Sequence, residues 1–277
     1  MRIDTEAQRV IWSASDLKAA AECEFAWSRA IDAKLGRVPA VEEPEDATLL
    51  RAAQLGDVHE QNVLDRYIRE LGDERVHRIA KVSSSDPEAL AAAVDETLSA
   101  LRSDALVVFQ AAFATDEFVG FADFLRRDED GRWRVQDSKL ARKARVTALM
   151  QLAAYVDQLD RLGIPRADEV DLIHGDNSVS THAVDGLLPL FRVRRSRLRA
   201  LIADRAVAEG VAGAPLAWGD DRGDLRVVAC GRCATCEEQV LAHRDLLMVA
   251  RMRPVQRARL RAAGILTIDD LAAATQA

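Results

Sequence analysis

The sequence has few aromatic residues, few cysteines, no long apolar run and no apolar leader, and each shortage narrows what the chain can be. Aromatics make up 5% of its 277 residues, so the 49% hydrophobic share is carried mainly by aliphatic side chains. With 30% charged residues this is the composition of an ordinary globular protein, long enough for one large domain or a domain with a small appendage. No stretch approaches the roughly 20 consecutive apolar residues that a membrane helix requires. The start, Met1-Arg2-Ile3-Asp4-Thr5-Glu6, lacks the apolar core of a secretion signal. A cytoplasmic location is therefore expected, and paired disulfides are not the first reading of the four cysteines. The nucleotide-binding pattern G-x-x-x-x-G-K-S/T is missing too, so an ATP-driven motor would have to lie outside this sequence.

What is present reads as α/β. Residues 15–35 look helical, with Leu17, Ala20, Ala21, Phe25 and Trp27 on the apolar side and Cys23 near the middle. Leu55, Val58, His59, Val63, Tyr67 and Leu71 predict a helix over 50–71, and the Ser83-Ser84-Ser85-Asp86-Pro87 break starts an alanine-rich one ending near 102. Residues 106–114, 117–127 and 132–139 then turn to Val, Phe and alternation, with Asp128-Glu129-Asp130-Gly131 as a turn, which predicts an antiparallel meander. A helix over 145–162, strands near 169–174 and 179–184, and a helix over 194–209 follow. A Gly, Ala, Pro and Asp stretch at 211–224 leads to the last cysteines.

The meander carries the candidate chemistry. Side chains alternate along a strand, so Asp137 and Lys139 share a face, with Trp133 and Val135 packing beneath and Ser138 pointing away. A hairpin can set Asp123 beside Asp137. Two carboxylates and a backbone carbonyl, that of Ser138, suit a hard cation such as Mg²⁺ or Mn²⁺. Such an ion polarises a phosphate and acidifies its water, and Lys139 would orient that water or neutralise charge on phosphate oxygens. Taken alone, Asp137-Ser138-Lys139 equally describes a solvated turn. Gln151 and Tyr155, four apart, lie on one face of the following helix and can border the strand ends or simply pack there. His59 sits on the inward side of its helix, as a structural histidine or a third metal ligand.

Cys230, Cys233 and Cys236 place three thiolates in one short loop, and Cys23 is the one residue left to complete four sulfur ligands. Spacing alone leaves zinc and iron open. The formal charge of −7 weighs against a nucleic-acid partner, but its distribution matters more than its sum. Acid gathers at Glu42, Glu43, Glu45 and Asp46. Base gathers at Lys139, Arg142, Lys143 and Arg145, at Arg192, Arg194, Arg195, Arg197 and Arg199, and at Arg251, Arg253, Arg257, Arg259 and Arg261. Any one block reads as a solvated face; three around one site read as a phosphate track, with Arg142, Lys143, Arg145, Arg194 and Arg195 as the DNA contacts. The tail from Pro254 reads as helix, Gly264 turn, helix, with Thr267 and Asp270 as a capping box. It is either a small stabilising α-hairpin or a helix-hairpin-helix presenting turn amides to DNA.

In chain order, Gly56-x-x-His59, Gly120-x-x-Asp123, Asp137-x-Lys139 and Gln151-x-x-x-Tyr155 resemble the RecB-type nucleases of the PD-(D/E)XK superfamily. The one-plus-three cysteines resemble its iron–sulfur branch, found in AddB and in CRISPR-associated exonucleases. Residues 107–127 and 135–163 are similar to RecB-like nucleases that are often fused to a helicase. The resemblance spans 13–273 and implies a restriction-endonuclease-like mixed sheet flanked by helices over 1–250, with a helix-hairpin-helix-like segment over 251–277. It also implies that His59, Asp123 and Asp137 bind Mn²⁺ or Mg²⁺, that Lys139 is catalytic with Gln151 and Tyr155 completing the site, and that Cys23, Cys230, Cys233 and Cys236 hold a structural [4Fe–4S] cluster joining the N- and C-terminal helical parts. The implied function is a metal-dependent DNA nuclease for single strands or ends, in repair or processing, with a helicase or ATPase module as a partner. In that branch the last two cysteines usually stand further apart than Cys233 and Cys236. A non-catalytic DNA-binding or scaffold module and a zinc-stapled DNA-binding protein are the competing classes.

Overall fold

Several helices in this chain start where a side chain can accept their first free amides. Asp46 accepts from the Thr48 and Leu49 amides, Asp86 from Ala89 with Pro87 following it, and Thr267 pairs with Asp270 in the expected capping box. The computed structural model describes residues 1–41 and 46–274. In chain order it contains β1 (Arg2–Asp4), β2 (Arg9–Ile11), α1 (Ala14–Glu22), α2 (Glu24–Lys34), α3 (Ala47–Leu71), β3 (Val76–Arg78) and α4 (Pro87–Arg102). Then come β4 (Val107–Ala114), β5 (Val119–Arg127), β6 (Trp133–Lys139), α5 (Val146–Arg161), β7 (Glu169–His174), β8 (Val179–Ala183), α6 (Val184–Asp204), α7 (Ala234–Ala242), α8 (Pro254–Ala262) and α9 (Ile268–Ala273).

The chain divides into two compact units, Met1–Lys18 with Glu45–Leu198, and Ala19–Pro44 with Arg199–Ala277. The first unit is α/β. Its mixed six-stranded sheet has the order β3-β4-β5-β6-β7-β8, and helices flank it. Strands β4, β5 and β6 form the expected antiparallel meander, β6 and β7 run parallel, and β8 returns antiparallel to β7. Helix α3 lays Val63, Leu64 and Tyr67 onto a core of Val76, Val107, Phe124 and Ile173. Helix α5 is buried at every position from Leu152 to Leu159, so it carries no polar face over that length. Tyr67 donates to Gln136 (2.6 Å), and Gln136 in turn donates to Asp171 (2.8 Å), which fixes α3 over the middle of β6 and β7.

The second unit holds α2, α7, α8, α9 and the cysteines. Its centre is Asp32, fully buried, whose carboxylate accepts from Arg37 (3.2 Å), Arg205 (3.2 Å) and the Leu216 amide (2.8 Å). Asp245 plays the same part nearer the C-terminus, accepting from Trp218 (2.8 Å) and from two nitrogens of Arg257 (2.7 and 2.5 Å).

Three departures from the sequence reading have local causes. The expected helix over 15–35 is two helices broken at Cys23, whose backbone is extended so that its sulfur can accept the Ala26 amide and start α2. The helix expected over 194–209 starts ten residues earlier, at Val184: Gly186 and Pro189 disguise its beginning, while burial of Val184, Leu188 and Phe191 holds it in place. It stops at Asp204, before the left-handed backbone of Ala206. Strands β1 to β3 have three residues each, too few for a period to show. Of the acidic group at 42–46, Glu42, Glu43 and Glu45 lie outside the described residues, and Asp46 is the cap of α3. Among the described residues no helix is long and apolar enough to cross a membrane.

Candidate functional site

The backbone pairing of β5 with β6 runs from Arg127 and Trp133 to Phe124 and Gln136 and stops there. The next residues are Asp123 and Asp137. Here a side chain replaces the ladder: the Ser138 amide donates to Asp123 Oδ2 at 3.0 Å, and the Ser138 hydroxyl donates to the same oxygen at 3.3 Å. The sequence reading turns Ser138 away from the site; the inserted Asp123 carboxylate, parting the two strands, is why its hydroxyl reaches it. On the other side β6 keeps pairing with β7, so Asp137, Ser138 and Lys139 stay in register with Leu172, Ile173 and His174.

The structure brings Asp123, Asp137 and Lys139 together. Lys139 Nζ stands 2.8 Å from the Asp137 carboxylate and 4.0 Å from Asp123 Oδ2. Its ammonium straddles the carboxylate, donating to Oδ1 at 2.8 Å and standing 2.8 Å from the buried Oδ2 as well. A buried carboxylate already facing one cation is a site where a divalent ion would share or displace the ammonium. Burial, and then the charge of Asp123, push the Asp137 carboxyl well above the ordinary carboxylate range, with Lys139 opposing. Burial works against charge on Lys139 as well, but Asp137 and then Asp123 outweigh it and hold the ammonium above its usual value.

The raised Asp137 fixes the sign of a pH effect. The unfolded chain gives up this proton near pH 4, whereas the folded chain retains it to higher pH, so this group's contribution to stability is lost as pH rises through that window. Asp137→Asn therefore raises Tm at pH 7, and its advantage shrinks as pH falls toward about 4. Calorimetry of both proteins across that range checks it; a variant less stable at pH 7 contradicts it.

Sequence reasoning missed Glu60. Its carboxyl is raised by burial and then by the charge of Asp123, which places a third acid at the same locus, and Gln110 donates to it. Gln110 itself has a left-handed backbone (φ 56°) and, with Asp123, falls at the step that the β4–β5 register skips, between Phe109↔Phe124 and Ala111↔Ala122. Strain at a non-glycine residue there marks a position held by its surroundings. Only its adjacency to His59 could have drawn attention to Glu60. His59 is buried, its Nε2 3.4 Å from the carbonyl oxygen of Ile173, the residue that pairs with Ser138. His59, Asp123 and Asp137 are not gathered into a common ligand sphere here: among the described residues, only the four cysteines form such a set.

Gly120 explains why the segment before Asp123 begins with glycine. A Cβ there would stand 2.9 Å from both Phe118 and Tyr155, so Tyr155 can approach the strand only because the side chain is missing. Tyr155 is buried, bonded to the Gln151 side chain and to the Phe121 backbone, and burial drives its hydroxyl pKa up. Gln151 and Tyr155 thus act on each other at the wall of the site. His174, read from sequence as ordinary, donates from Nδ1 to the Ala141 carbonyl (2.7 Å) and pairs through Nε2 with Ser180 (2.8 Å), anchoring the segment that follows Lys139.

Arg142, Lys143 and Arg145 are exposed in that segment, and Arg192 and Arg194 are exposed on α6. Arg195 is not available in the same way: it donates to Asp157 at 2.5 Å and lies over Phe191. Arg257 and Arg261 are similarly engaged, by Asp245 and by the Gly219 carbonyl.

In the second unit Cys23, Cys230, Cys233 and Cys236 put all their sulfurs within 4.8 Å of one another, so the four can bind a metal or a cluster. The Ala26 and Cys230 amides approach Cys23 at 3.4 Å each, and the Cys233 amide approaches Cys230 at 3.3 Å. The Cys236 thiol, aided by these amides, lowers the Cys23 thiol to about 5, while burial raises Cys233 to about 11. The sequence matches no family model, and no curated protein matches it.

Proposed function

We propose that the protein is a divalent-metal-dependent DNA nuclease of the RecB type, with a restriction-endonuclease-like sheet, acting on single strands or DNA ends. The observation that carries this reading is the parted end of β5 and β6, where the Lys139 ammonium stands 2.8 Å from the buried Asp137 carboxylate and 4.0 Å from Asp123 Oδ2. A solvated turn would not bury an aspartate to 1% exposure beside a second carboxylate.

Asp123, Asp137 and the Ser138 carbonyl would hold Mn²⁺ or Mg²⁺, with His59 as the further ligand that the resemblance implies. The ion supplies phosphate polarisation and an acidified water. Lys139 keeps its proton and faces the anionic phosphate, aligning the water and offsetting charge that develops on the oxygens. Glu60 adds a carboxyl whose raised pKa suits proton exchange at the same place. Gln151 and Tyr155 hold the wall, and Arg142, Lys143, Arg145 and Arg194 supply phosphate contacts. The four cysteines can hold a metal or cluster as a staple within the second unit, and the resemblance implies a helicase or ATPase module as a partner.

Mn²⁺ binding followed by electron paramagnetic resonance tests the site without turnover. The wild type binds Mn²⁺, and Asp123→Ala weakens binding by about ten- to a hundredfold. Equal affinity in the two proteins would remove the carboxylates from the reading.

A further inference from the structure

We infer that the four cysteines hold one tetrahedrally coordinated metal ion, zinc, and that the sulfur geometry does not fit the [4Fe–4S] cluster. The inference rests on the sulfur centre alone and stands or falls independently of the nuclease reading.

Two separations define the site: Cys23 Sγ to Cys236 Sγ is 3.5 Å, and Cys230 Sγ to Cys236 Sγ is 3.9 Å. All four sulfurs lie within 4.8 Å of one another. Zinc–thiolate bonds of about 2.3 Å in a regular tetrahedron set the sulfurs about 3.8 Å apart, inside the observed spread. A four-iron cluster binds each cysteine at a different iron, so its sulfurs radiate from the corners of a cube and stand well beyond a single-ion tetrahedron. Accepting it would require every one of these separations to open.

The surrounding chain resists that opening. Cys23 sits at the broken junction before α2, held by the Ala26 and Cys230 amides, and Cys236 is fully buried in the first turns of α7. Gly231, between Cys230 and Cys233, has a positive φ (75°), and a Cβ there would meet Leu247 at 2.8 Å. Phe25 and Leu216, both buried, pack around Cys23 and Cys236. Amide donors to thiolates orient ligands and spread their charge, as outer-shell contacts do at metal sites.

The test uses the whole chain. Protein made in medium holding both iron and zinc is purified anaerobically and assayed for zinc, iron and acid-labile sulfide. It is then offered ferrous iron and sulfide and assayed again. About one zinc per chain at both steps, no sulfide, and a zinc-edge X-ray absorption shell of four sulfurs at about 2.3 Å are expected. About four irons and four sulfides per chain at either step overturn the inference. One iron without sulfide, or zinc surrounded by nitrogen and oxygen, overturns the zinc assignment.

Discussion

Asp123→Ala and Lys139→Ala are each expected to lower Mn²⁺-dependent DNA cleavage at least about a hundredfold while the protein stays folded. Removing one charge-stabilising group from an active site costs about 10²- to 10³-fold in rate, and that is the loss expected for Lys139→Ala. Asp123→Ala loses more, because the same carboxylate is a proposed ligand and the acceptor that keeps Ser138 in place at the parted strands. The two variants differ in a second readout. Without the Lys139 ammonium 2.8 Å away, Asp137 becomes still harder to ionise, so residual activity in Lys139→Ala shifts to higher pH. Cleavage at wild-type rates by both variants would show that the chemistry lies elsewhere. Circular dichroism and Tm, taken in parallel, separate lost chemistry from lost fold.

Asp32→Ala is expected to be the most damaging single change to stability. Asp32 is fully buried, and its carboxylate is the shared acceptor for Arg37, Arg205 and the Leu216 amide. Removing one partner of a buried charged group leaves cations without compensation, at a cost of about 3–5 kcal/mol. Arg37 keeps the carbonyls of Gly210 and Ala206 and Arg205 keeps the Asp204 carboxylate, while the Leu216 amide loses its acceptor, so Asp32→Asn, which retains an acceptor oxygen, is milder than alanine. Denaturant unfolding measures both; a shift below about 1 kcal/mol for alanine would show that water replaces the carboxylate.

Periodicity made the meander, the long helix carrying His59, and α5 legible because each is longer than two turns or carries a clear alternation. Strand parity placed Asp137 with Lys139, and the hairpin supplied Asp123. What stayed hidden depends on contacts distant in sequence. Glu60 enters only because α3 lies over the sheet beside Gln110, and along the chain only the neighbouring His59 marks it. The break at Cys23 follows from what its sulfur accepts, which an apolar pattern running smoothly through 15–35 conceals. Arg195 and Arg257 looked like the other arginines of their blocks; Asp157, 38 residues away, and Asp245, 12 residues away, are what remove them from a phosphate track. Asp32, Arg37 and Arg205 gave no pattern at all, since a buried ion pair is defined by its partners.

The most direct measurement is cleavage of end-labelled DNA by anaerobically purified wild-type protein with Mn²⁺, on single- and double-stranded substrates with 5′ and 3′ labels in parallel. Metal-dependent shortening of at least one substrate, stopped by chelation and missing in Asp123→Ala, is expected. No cleavage of any substrate by the wild type, or the same cleavage by wild type and variant, would contradict it.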